Sequence, residues 1–152
     1  MKKLFLFALI SVFYLHANAF LKVRNYTCAT VVFSVQCHDG SYNCGEVYSQ
    51  YYILTGVSSM TFSNTSSLGA CTVPPLYSGF TYTPSSTQNW DKVNFLVYPG
   101  AIVGHGSYGV VDIACGGLSY WDSGEFQFCG HPNLEAYIHT EGSDTYVDFN
   151  FY

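Results

Sequence analysis

The chain has 152 residues, of which 49% are hydrophobic, 18% aromatic and only 10% charged, and five Lys and Arg against ten Asp and Glu give a net charge of −5. Nucleic acids are bound through clustered Lys and Arg that neutralise phosphates. This composition therefore excludes nucleic acid as a partner, and the same argument disfavours an anionic membrane surface.

The first 19 residues predict a secretory signal peptide. Lys2 and Lys3 give a basic start, an apolar run covers residues 4–15, and small residues follow up to Ala17 and Ala19. A basic start, a short apolar segment and an Ala-x-Ala site are the features of such a peptide, and the apolar run is too short to span a bilayer. We expect cleavage after Ala19, no membrane span after cleavage, and a secreted, periplasmic or cell-surface location.

Residues 20–152 are predicted to form one domain, because 133 residues suit a single hydrophobic core. The basic residues of this part are Lys22, Arg24 and Lys92, which stand against all ten carboxylates and give it a net charge of −7. A neutral glycan or a bound cation remains electrostatically acceptable as a partner.

Strand-like alternation recurs along this part, and helical spacing is almost absent. The clearest alternating runs cover residues 31–36, 93–98 and 146–151, each with one apolar face. Further strands are predicted at residues 20–26, 50–54, 59–62, 79–83, 109–115, 125–129 and 135–139. Turn dipeptides such as Asp39-Gly40 separate them. Eight to ten short strands spaced in this way predict an all-β fold, an antiparallel sandwich of immunoglobulin-like or jelly-roll-like type.

All six cysteines follow residue 19, and an even number in an oxidising compartment predicts three stapling disulfides. Cys28 and Cys37 flank one extended strand and so lie too far apart to bond to each other. The predicted bridges are Cys28 with Cys71, Cys37 with Cys44 and Cys115 with Cys129. Zinc ligation is the alternative, but no Cys-x-x-Cys pair occurs, and no metal ligand is predicted.

Residues 116–124 are predicted to be a flexible polar loop that carries two adjacent aromatic residues, Tyr120 and Trp121. Both rings can reach solvent from a loop, so Trp121 could stack on a sugar while Asp122 binds its hydroxyls. Abundant Tyr, Ser, Gly and Asn are also typical of recognition surfaces. The predicted ligand contacts are Tyr120, Trp121, Asp122 and Trp90, and the predicted ligand is a glycan or another extracellular or envelope protein. In the alternative interpretation, Trp121 covers the edge of the core.

The sequence gives little support to catalysis. The segment 106–109 misses the Gly-x-Ser-x-Gly elbow by one residue, and the histidines form no metal-binding motif. No catalytic residue and no cofactor is predicted. We therefore expect a non-catalytic recognition or cell-envelope surface protein. The alternatives are a structural exported domain without a small-molecule site, and a secreted hydrolase or hydrolase inhibitor.

Overall fold

A computed structural model describes residues 19–38, 44–72, 81–86, 88–99, 106–124, 127–131 and 133–151. These residues form two packed β-sheets with twelve strands and one 3₁₀ helix at Thr65–Leu68, which confirms the predicted all-β sandwich. Of the predicted signal peptide, all but Ala19 lies outside the described residues. Within the described ranges, no helix is long and apolar enough to cross a membrane.

One sheet has five strands, which come from both ends of the described chain. Across the sheet they are β10 (Tyr120–Asp122), β11 (Leu134–Glu141), β12 (Asp144–Phe151), β1 (Leu21–Asn25) and β5 (Ser58–Phe62). β1 and β12 run parallel, and the other neighbours run antiparallel. Among the described strands, this parallel pair departs from the otherwise antiparallel arrangement; it joins distant segments and needs no hairpin between them.

The other sheet has seven strands. Its order is β7 (Thr81–Tyr82), β6 (Cys71–Thr72), β3 (Val47–Tyr48), β2 (Thr30–His38), β8 (Asn89–Tyr98) and β9 (Ser107–Asp112). β4 (Tyr52–Thr55) also pairs with β2, along its first half, whereas β3 pairs with its second half. The long strands β2 and β8 therefore form the centre of this sheet.

The core lies between the sheets, where the inward positions of the predicted alternating strands meet. Val31, Phe33 and Val35 of β2 are fully buried, as predicted from their spacing. Phe95 of β8 meets Phe149 of β12 edge to face, with ring centroids 4.7 Å apart. Burial of each such Val or Phe side chain stabilises the fold by about 1.5–3 kcal/mol.

Two disulfides join distant parts of the sandwich, and they differ from the predicted bridges. Cys28 bonds to Cys129 and Cys44 bonds to Cys115, with Cα–Cα distances of 6.2 and 5.6 Å. The predicted pairs, Cys28 with Cys71, Cys37 with Cys44 and Cys115 with Cys129, are therefore wrong. The last pair assumed two neighbouring strands, but after Cys115 the chain leaves the seven-stranded sheet and forms β10 of the other one. Disulfides of this kind are typical of an oxidising, extracellular environment.

Candidate functional site

The predicted aromatic loop contains a strand, and this separates its two aromatic side chains. Tyr120 and Trp121 belong to the edge strand β10, where neighbouring side chains point to opposite faces. Trp121 is half-buried and meets Phe95 edge to face at 5.1 Å, whereas Tyr120 is 46% exposed and lies opposite Tyr137 of β11. The prediction that both rings reach solvent from a loop is therefore wrong, and Trp121 covers the edge of the core.

A glycine makes room for the Trp121 ring. A Cβ atom on Gly109 of β9 would lie 2.8 Å from Cε2 of Trp121 and still closer to the ring of Phe95. A side chain at this position would collide with both rings. The absence of a Cβ at Gly109 thus allows the edge strand β10 to close over β9.

Trp90 lies in the core because of a β-bulge in β8. Cys37 is opposite Trp90 and Gln36 is opposite Lys92, so Asp91 is an extra residue in the ladder. The bulge turns Trp90 inward, where it is 5% exposed, contacts Phe62 and donates its Nε1–H to the carbonyl oxygen of Ala19 at 2.9 Å. Trp90 therefore has almost no surface to offer to a ligand.

Asp122, the remaining predicted contact, is exposed and accepts a hydrogen bond from the backbone N–H of Gly124 at 2.8 Å. It stabilises the turn that follows β10. Asp122 and Tyr120 share one face of the strand, while Trp121 and Trp90 face the core. The four predicted contacts therefore do not form one surface.

A different surface has the features that the sequence predicted for the loop. It is a concavity on the outer face of the seven-stranded sheet, with a volume of about 180 Å³. We call it the tyrosine groove, because three exposed tyrosines contribute to it. Its outward-facing lining residues are Val32, Ser34, Tyr48, Tyr51, Asn94, Leu96 and Tyr108.

Strand register brings the groove residues together. Val32 of β2 lies opposite Leu96 of β8, and Leu96 lies opposite Tyr108 of β9. Ser34 of β2 and Asn94 of β8 form the next outward-facing row. The centre of this face therefore combines an apolar row with a polar row.

The three tyrosines surround this centre. Their side chains are exposed to different degrees: Tyr48 by 36%, Tyr51 by 75% and Tyr108 by 62%. Tyr51 precedes β4 and Tyr48 lies in β3, so neither belongs to the central strands. The sequence showed that tyrosines are abundant, but only the fold reveals which of them surround a common concavity.

Asn94 has an unsatisfied hydrogen-bond donor at the groove. Its Oδ1 accepts a hydrogen bond from the Tyr108 hydroxyl at 3.3 Å. Its Nδ2 is buried and has no acceptor among the described residues. A buried donor without a partner costs about 1–3 kcal/mol. Because Nδ2 is buried, a ligand oxygen can accept from it only after a neighbouring side chain moves.

The polar end of the same sheet contains a histidine–carboxylate pair. Asp91, which is fully buried, accepts from the Gly45 backbone N–H at 2.7 Å, and its other oxygen lies 2.6 Å from Nδ1 of the half-buried His38. Ligand atoms of His38, Asp91 and Cys44 lie within 4.8 Å of one another. The sulfur of Cys44 is bonded to Cys115, however, so it provides no thiolate for a metal ion. We interpret the pair as the contact that satisfies the buried carboxylate of the bulge.

The outer face of the five-stranded sheet carries an ion pair. Arg24 of β1 donates two hydrogen bonds to the buried carboxylate of Asp148, and this hydrogen bonding raises the pKa of the guanidinium. The guanidinium also lies over the ring of Tyr146, 4.4 Å from its centroid, and His139 stacks on the same ring at 4.9 Å. The charges of Arg24 and Asp148 therefore satisfy each other.

Comparisons with protein-family models, with curated proteins and with solved structures found no match to this chain.

Proposed function

We propose that this protein is an exported, non-catalytic recognition protein that binds a neutral glycan in the tyrosine groove. The observation that carries the proposal is the combination of three exposed tyrosines with the buried, unpaired Nδ2 of Asn94 in one concavity. Tyrosine rings provide rigid contact area at a small entropic cost. They can stack on the apolar face of a sugar while the amide donates to a hydroxyl oxygen.

The size of the groove limits what it can hold. Its volume is about 180 Å³. Pockets for drug-sized ligands are larger, at about 300–1,000 Å³. One residue of a polymer fits this space better than a large cofactor does, and the neighbouring sugars of a polysaccharide would extend over the exposed Tyr51.

Charge argues for a neutral ligand. None of the described residues that line the groove is charged. The next outward-facing row beyond Asn94 contains Lys92 and Asp112, whose charged atoms lie 3.5 Å apart and neutralise each other. An anionic polymer would also be repelled by the net charge of −7 expected after cleavage.

Export is part of the proposal. It is supported by the signal-peptide pattern of residues 1–19 and by the two disulfides, which persist in oxidising compartments. A secreted, periplasmic or cell-surface location gives the groove access to glycans of the cell envelope or of the surroundings.

The test is a pull-down of the processed, oxidised protein on insoluble polysaccharides and cell-wall preparations. We expect retention by at least one neutral polymer, and Tyr51→Ala and Tyr108→Ala should each weaken it about tenfold or more, as for other aromatic contacts at binding sites. Tyr120→Ala is the control, because Tyr120 is also an exposed tyrosine but lies on the other sheet. Retention that depends on Tyr120 and not on Tyr51 or Tyr108 would place the site at β10. Absence of retention on every polymer would favour a structural or protein-binding role.

A further inference from the structure

Two buried cysteines lie on the inner side of the seven-stranded sheet, on either side of β3. Cys37 of β2 is opposite Val47 of β3, while Cys71 of β6 precedes Thr72, which is opposite Tyr48. Alternation along the strands places Cys37, Val47 and Cys71 on the same face, and all three are fully buried. The two cysteines are therefore directed into the same part of the core.

Their sulfur atoms interact with each other. The side chain of Cys37 hydrogen bonds to the thiol of Cys71, and this bond lowers the pKa of Cys71 although burial acts in the opposite direction. A lower pKa increases the thiolate fraction, and the thiolate is the form that attacks a disulfide. The pair is thus both close together and chemically suited to oxidation.

We propose that Cys37 and Cys71 form a third disulfide, which ties β2 to β6 beneath β3, the short strand between them. The oxidant is a disulfide, either a small molecule such as oxidised glutathione or a thiol–disulfide oxidoreductase of the export compartment. The Cys71 thiolate attacks one sulfur of that disulfide and releases one thiol. The Cys37 thiolate then attacks the Cys71 sulfur of the mixed disulfide and releases the second thiol. Two protein thiols are oxidised, one disulfide is reduced, and the two protons end on the released thiols.

The strands around the pair allow the oxidant to reach it. β3, β6 and β7 have two residues each and lie together at one side of the sheet. Short edge strands with few ladder hydrogen bonds open at a lower free energy than long central strands such as β2. Opening of β6 exposes Cys71 before the rest of the core unfolds, so Cys71 is the first cysteine to react.

The bridge would also fix one side of the tyrosine groove, because β3, which carries Tyr48, lies between the two strands that it joins. This inference does not depend on the identity of a ligand.

The test counts thiols in the processed protein after equilibration with oxidised glutathione. The protein is denatured, treated with N-ethylmaleimide and weighed as an intact chain, and a non-reducing digest is then searched for linked peptides. We expect no maleimide adduct and a peptide that links Cys37 to Cys71. In the Cys37→Ala variant, Cys71 has no partner thiol. We therefore expect one maleimide adduct at Cys71, or one glutathione bound to Cys71 instead. Cys71→Ala is the reciprocal control.

Two maleimide adducts, at Cys37 and Cys71, would overturn the proposal, as would a peptide that links either cysteine to one of the other four. Tryptophan fluorescence of each variant before denaturation reports whether it has folded, and the intact protein gives the thiol count even if both variants fail to fold. The thiol count requires no ligand, so its failure is distinct from a failure to bind glycans.

Discussion

Replacement of Gly109 by alanine should destabilise the sandwich where β10 closes over β9. The added Cβ would lie 2.8 Å from Cε2 of Trp121 and closer still to the Phe95 ring, whose residue is only 2% exposed and cannot move away freely. Overpacking of a well-packed core costs about 1–3 kcal/mol. The loss of chain flexibility on replacing glycine offsets about 0.4–1 kcal/mol of this. Because the added Cβ would come closest to the Phe95 ring, the overpacking cost should fall in the upper part of its range, and we expect a net loss of about 1–2 kcal/mol.

The assay is urea unfolding followed by tryptophan fluorescence, together with a thermal melt, in which the midpoint should fall by roughly 3–10 °C. The matched experiment is a double-mutant cycle with Phe95→Leu, which removes part of the ring that the new Cβ would meet. In that background, Gly109→Ala should cost at most about half as much, because the two positions are in contact. The argument is refuted if Gly109→Ala is as stable as the parent, or if the two changes are additive.

Three further substitutions test other parts of the structure. Trp121→Ala should lower the free energy of unfolding by about 2–4 kcal/mol in chemical denaturation, since the ring packs on the core. Tyr120→Ala should change it by less than about 0.5 kcal/mol. Similar losses for both variants would contradict the assigned faces of β10. Arg24→Met leaves the buried carboxylate of Asp148 without its partner and should cost about 2–4 kcal/mol in urea unfolding, and a neutral result would mean that the carboxylate is solvated. Replacing both Cys44 and Cys115 by alanine should lower the free energy of unfolding by about 4 kcal/mol in the chain-entropy model, because the bridge closes a loop with a sequence separation of 71 residues. An unchanged melting midpoint would count against this bridge.

The long strands could be predicted because their alternation continues for several residues. In β2, β8 and β12, Val and Phe recur at every second position. The positions that this alternation predicts to face inward are the buried ones in the structure. β3 and β6 have two residues each, and β10 has three between glycine-rich segments. Such short strands have no detectable period, because their conformation is fixed by pairing with a neighbour rather than by their own sequence.

The position of Trp90 could not be predicted because one residue changes the alternation. Counting back by twos from Val93 gives an inward residue at Asp91 and an outward residue at Trp90. The bulge at Asp91 shifts the register, so Trp90 turns inward while Asp91 bonds to His38. A bulge depends on the partner strand, and a single strand sequence does not reveal it.

The cysteine pairs and the groove were missed for a related reason. Both depend on which distant segments become neighbours across or between the sheets. Tyr108 reaches Asn94 only because β9 pairs with β8 in one register, and Cys28 reaches Cys129 only because the chain crosses between sheets. The signal available in the sequence was Asn94, a polar residue within the alternating run of residues 93–98, which indicates an outward position with a polar role.

The amide of Asn94 allows the most direct test of the proposed site. In an NMR titration of the ¹⁵N-labelled protein with soluble fragments of the neutral polysaccharide that retains it best, the account predicts that the Asn94 side-chain amide signals shift in proportion to binding. The backbone signal of Tyr120, on the other sheet, should stay unchanged. Shifts concentrated around Tyr120 and Tyr137, or binding that leaves the Asn94 amide unaffected, would contradict recognition in the tyrosine groove.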